Sequence, residues 1–188
     1  MVKSKKKKSK AKTEKKKGYG PIIRFCVIFF VLLIVITFLY SYGSGVTAPV
    51  IMKLEVLTAI VTGFVLKVVG MTAEVSGKMI YLSNFSVEVI GECTGLFEML
   101  IFLAALIAYP ANYKKKLLGC VLGIPFIYII NIIRMAFISV VANWAPKTFD
   151  FLHVYFWQVA MIFIIMAAWI LWIQKVVYYE RKTVVIHR

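Results

Sequence analysis

Three side chains in this sequence carry chemistry that combines: the thiol of Cys93, the guanidinium of Arg134 and the imidazole of His153. A thiol is a poor nucleophile until it is deprotonated, and a nearby cation or base promotes that loss. Histidine can take the thiol proton and later return it to a leaving amine. Arginine stays charged, so it cannot be the base. Its part is to stabilise a thiolate or the oxyanion of a tetrahedral intermediate, with most effect where water is scarce. Asn131 lies three residues before Arg134 on nearly the same helical face, placed to hold the guanidinium or to donate to an oxyanion. The set predicts a cysteine peptidase, provided the fold brings it to one place.

The elements that would do so lie in a membrane. Of the 188 residues 62% are hydrophobic and only 16% are charged, with a mean hydropathy of +0.87. A soluble domain needs more polar surface than that. Apolar runs predict spanning helices over 22–40, 92–109, 117–144 and 153–174. Between the first two, Lys53, Glu55 and Lys67 leave an uncharged run of only 56–66, which predicts an amphipathic helix over 50–69 lying on the membrane surface. Residues 71–90 change to period two, with Phe85, Val87 and Val89 alternating with Ser86 and Glu88, and predict a small outer hairpin or meander. The expected fold is an all-α polytopic membrane protein: four spanning helices, one interfacial helix and a small β segment.

Charge gives the expected topology. Ten lysines fall between Lys3 and Lys17, in a stretch too polar to order itself. It reads as a cytoplasmic tail over 1–20 that touches anionic lipid, with no nucleic acid as partner. The embedded domain runs over 21–176, and a second cytoplasmic tail over 177–188 contains His187. With the N-terminus inside, 18 of the 23 basic residues lie on the inner side and only Lys53, Lys67, Lys78 and Lys147 outside. Cys93 and His153 then stand at the outer ends of their helices. Arg134, 17 residues after Leu117, rises about 26 Å to the same depth. The expected location is a cell membrane, with both termini cytoplasmic and the site on the outer side.

Simpler readings stand beside this one. Cys93 could be a small apolar filler, as Cys26 and Cys120 are taken to be. Arg134 could pair with Glu98, since an intramembrane arginine needs a partner, and the protein would then be a non-enzymatic scaffold or assembly factor locked by that pair. A zinc peptidase built from Cys93, His153 and Glu92 or Glu98 is the other enzyme reading, but the sequence has no HExxH and no second ligand pair. No cofactor and no metal are therefore expected. Asn84-Phe85-Ser86 matches a glycosylation sequon by pattern.

The runs GECTGLFEML, IPFIYIINIIRMAF and FDFLHVYFW resemble the exosortase/archaeosortase family of polytopic membrane peptidases. Cys93-Thr94-Gly95, then Asn131-Ile132-Ile133-Arg134, then His153 follow the family's order, and the resemblance covers about 70–174. The resemblance implies a sortase-like activity on exported proteins that end in a short motif, a transmembrane helix and a basic cluster. It further implies a thioester on Cys93, catalytic roles for Cys93, Arg134 and His153, and an acceptor that receives the product. The chain is shorter than the common eight-helix members, with fewer N-terminal spans.

Overall fold

The computed structural model describes residues 20–42 and 44–178. The lysine-rich tail, most of the C-terminal tail and His187 lie outside the described residues. Helix α1 (Gly20–Tyr42) is followed by α2 (Ser44–Val68). Strands β1 (Glu74–Ser76), β2 (Met79–Tyr81) and β3 (Ser86–Glu88) come next, then α3 (Leu96–Ala108), α4 (Tyr113–Trp144) and α5 (Trp157–Trp172). Two π-helical turns flank α5, at Phe151–Phe156 and Ile173–Tyr178.

The long helices follow from unbroken apolar sequence and present much of it outward. Ile22, Val27, Phe30, Ile34 and Phe38 of α1 are all exposed, as lipid-facing side chains are. Such helices associate through close packing rather than through escape from water. Gly119 and Gly123 of α4 show this. Trp172 and Leu106 crowd the first and the Phe102 ring crowds the second, at distances that leave no room for a Cβ. Helix α1 runs antiparallel to α3: Tyr40 meets Phe97 at one end, and Phe25 meets Tyr109 at the other. At that second end Lys116 Nζ donates to the Ile107 carbonyl (2.6 Å) and Trp172 Nε1 to the Lys115 carbonyl (3.0 Å), tying the ends of three helices together.

Four helices are long and apolar enough to cross a membrane: 20–42, 47–68, 113–144 and 146–178. Three are the expected ones. The fourth is the predicted interfacial helix, whereas α3 has only 13 residues, about 20 Å. Helix α3 is short because the chain at 91–95 is a turn, and that turn is covered by protein rather than lipid, as irregular backbone at membrane depth must be. Its cover is α2 and the sheet. Both ends of α2 stay with the cysteine end of the bundle. Ile51 lies against Gly91, while Leu66 belongs to the buried cluster of Ile80, Val87 and Cys93. Between them Gly63 touches Val75 and Glu55 faces Lys78 at 3.9 Å. The opposite stripe of α2, Leu57, Ile60, Phe64 and Val68, is exposed at helical spacing.

The β segment is a three-stranded antiparallel meander in the order β1-β2-β3, with Ile80 opposite Val75 on one side and Val87 on the other. The predicted alternation places Val87 and Val89 inside. Asn84, in the β2–β3 turn, is pinned to the end of α4: its backbone N–H donates to Asn143 Oδ1 (2.9 Å) and its Nδ2 donates to the Asn143 carbonyl (3.4 Å).

Candidate active site

The turn that carries Cys93 is built by its own residues. A 3-10 turn, Gly91–Cys93, leads into Thr94, whose hydroxyl donates to the Gly91 carbonyl (2.7 Å) and accepts from Leu96 N–H (3.2 Å). The same side chain thus closes the turn and satisfies the first N–H of α3. Gly95 then adopts a left-handed conformation (φ 73°, ψ 6°) that reverses the chain into the helix. Asn131 Nδ2 reaches across from α4 to the Cys93 carbonyl at 2.7 Å, fully buried. Asn131 therefore holds the cysteine turn, and among the described residues no hydrogen bond joins it to the guanidinium of Arg134. Sequence spacing could not show this, because the acceptor is a carbonyl exposed by the turn.

Gly95→Ala tests that arrangement. An added Cβ would lie 2.9 Å from Asn131 Cγ, whereas Gly77, also left-handed (φ 59°), has open space around it. Gly77→Ala should show conformational strain alone, about 1–2 kcal/mol. Gly95→Ala should lower the melting temperature in detergent distinctly further, because overpacking adds to the strain. Equal shifts would mean that Asn131 yields freely.

His153 comes from the π-helical turn before α5. Its Nε2 lies 3.3 Å from Cys93 Sγ, a contact between residues 60 apart. With the imidazole proton on Nδ1, the thiol S–H donates to Nε2. The Phe149 ring stacks on the imidazole (5.3 Å between centroids, 10° between planes) and fixes its plane. Phe149 was not singled out from the sequence, although it stands four residues before His153, one helical turn away. The wide turn itself has no sequence signature here; such turns are frequent at functional sites.

Arg134 is buried in α4, and its Nη1 stands 3.7 Å from Glu98 Oε1, a long ion pair. Arg134 Nε and Glu98 Oε2 are buried without a hydrogen-bond partner among the described residues. Cys93 is buried, and His153 is the base within reach of its thiol.

Arg134, Glu98, Glu92 and His153 line a cavity of about 420 Å³, together with Tyr40 and Thr37 of α1 and Gln158 of α5. The last three escaped notice in the sequence because only the packing of α1 and α5 brings them to the site. Among the described residues no three His, Cys, Asp or Glu side chains converge as metal ligands. Cys26 and Cys120 are free and half-buried.

The family model for transmembrane exosortases matches residues 22–173, most of the chain and every element of this site. The chain belongs to the transmembrane exosortase family. It is also similar to a protein of Methanocaldococcus jannaschii named probable archaeosortase E, at 28% identity over 142 residues, which cover 76% of this chain and 71% of that relative. No solved structure matches. This exosortase-family chain is a multi-pass membrane protein, and its matched region carries Cys93, Arg134 and His153 in one neighbourhood.

Proposed function

We propose that the protein is a membrane-embedded cysteine peptidase and transpeptidase that cleaves C-terminal sorting signals of exported proteins at the outer face of the cell membrane. The observation that carries this reading is the 3.3 Å contact of Cys93 Sγ with His153 Nε2, beside a cavity that Arg134 also lines. His153 takes the thiol proton as the sulfur adds to the scissile carbonyl carbon. The oxyanion so formed is stabilised by Arg134. Collapse of the adduct breaks the C–N bond, the leaving amine takes the proton from His153, and the acyl group stays on Cys93 as a thioester. An acceptor amine, hydroxyl or water then gives its proton to His153, attacks the thioester and releases the thiol. The substrates are exported proteins with a motif, a helix and a basic end, and the N-terminal lysines meet anionic lipid at the inner face.

Capture of the intermediate tests the chemistry. Membranes holding the protein and a tagged exported substrate should yield a covalent adduct that hydroxylamine cleaves and that Cys93→Ala lacks. An adduct that persists in Cys93→Ala would sink the reading.

The inside-out charge bias supports an outer site. In a background free of native cysteines, Lys147→Cys should react with a membrane-impermeant maleimide on intact cells, and Lys115→Cys only after permeabilisation. The reverse pattern would put the site in the cytoplasm.

A further inference from the structure

The cavity beside Cys93 lies between two helices. Helices α1 and α5 touch near one end, where Phe25 stacks on Trp169 at 5.3 Å between centroids. Toward the cysteine end they are separated by the cavity, with Thr37 and Tyr40 on one wall and His153, Val154 and Gln158 on the other. Thr37 lies one turn inward from Tyr40 and Gln158 more than a turn inward from His153, each within a long apolar helix. Both are exposed, and neither forms a hydrogen bond among the described residues. A hydroxyl and a carboxamide turned outward at membrane depth are costly unless something hydrogen-bonds to them. In the same cavity wall, Arg134 and Glu98 hold a buried N–H (Nε) and a buried oxygen (Oε2) with no hydrogen-bond partner among the described residues. One donor beside one acceptor is the complement of a peptide group.

We propose that substrate enters laterally from the bilayer between α1 and α5, and that Thr37 and Gln158 are positioning residues that hydrogen-bond its unwound backbone next to the bond to be cleaved. The proposal rests on the peptidase reading for its substrate class. An apolar helix cannot offer its backbone to a thiolate until it unwinds, and the freed N–H and C=O groups need partners where water is absent. Thr37 and Gln158 supply them along the approach, and Arg134 and Glu98 at its end.

The test uses alkylation of Cys93, which needs no turnover. The full chain, with Cys26→Ala and Cys120→Ala, is placed in phosphatidylcholine vesicles and labelling is read by mass spectrometry. Three probes are compared: a chloroacetamide on a lipid-anchored tripeptide, a chloroacetamide on a plain alkyl chain, and a sulfonated maleimide confined to water. Both lipid-borne probes should label faster than the water-borne one, and Thr37→Trp or Gln158→Trp should slow both at least tenfold. The near-isosteric changes Thr37→Val and Gln158→Met should slow the tripeptide probe about tenfold, the loss expected for one hydrogen bond, and leave the alkyl probe unchanged. Thr37→Ser should restore it. Fastest labelling from water, or equal effects of Thr37→Val on both lipid-borne probes, would overturn the proposal. Failure of the peptidase reading shows separately, as processing that survives Cys93→Ala.

Discussion

Cys93→Ser is expected to abolish processing of an exported substrate while the protein accumulates to normal levels. The substitution keeps size and a polar atom, but a hydroxyl has no comparably easy route to its anion, and the buried site offers little to ionise it. His153→Ala should be nearly as severe, because activation of the thiol and protonation of the leaving amine both pass through its imidazole, which contacts Cys93 Sγ. The double variant should be little worse than either single one, since groups that act as a unit are not additive in their losses. Immunoblotting of precursor and product, beside quantified enzyme, makes the measurement. Substantial processing by Cys93→Ser would remove the nucleophile from the mechanism.

Arg134→Lys should cost about 10²–10³ in rate with the protein still folded, the usual loss for one oriented donor to an oxyanion. Lysine keeps the positive charge and loses the planar fork, so a site that needs only a positive field would tolerate it. Glu98 decides between roles. If Arg134 serves chiefly to neutralise Glu98 and lock the bundle, as in the scaffold reading, Glu98→Gln should rescue Arg134→Gln. The 3.7 Å separation and the unpaired Nε and Oε2 argue that this pair is not closed on itself. We therefore expect the double variant to stay inactive. Restored processing would leave Cys93 and His153 as a dyad and Arg134 as an ion-pair partner.

Much of the fold was legible because lipid imposes a coarse rule. Unbroken apolar runs mark α1, α4 and α5, and the period-two stretch at 85–89 marks the sheet. The same rule overestimated 92–109, of which α3 keeps 13 residues. Counting charges reads α2 as interfacial, and both of its ends stay with the cysteine end of the bundle; counting apolar residues makes α3 look longer than it is. The difference lies in 91–95, where Thr94 and Gly95 stop the helix by local hydrogen bonding and backbone handedness. At the site, the common depth of Cys93 and His153 could be computed from helical rise, since both stand at helix ends. Rise gives depth but not azimuth, so the hydrogen bond of Asn131 to the Cys93 carbonyl is not legible from spacing. Thr37, Tyr40 and Gln158 carry no motif, and only the packing of two helices makes them neighbours of the thiol.

The shortness of α3 bears on which product the proposed reaction would give. Because the helix stops early and its leading turn is roofed by α2 and the sheet, Cys93 is only 3% exposed. In the proposed reaction the acyl group rests on that sulfur between the two half-reactions. A thioester held there meets little bulk water, so its hydrolytic lifetime is long and its fate is decided by whichever nucleophile can bind in the cavity. Partition then favours transfer over hydrolysis by local concentration rather than by intrinsic reactivity. Thinning the roof, for instance by cutting Leu66 or Ile80 to Ala, would let water compete and shift the product ratio toward the free acid.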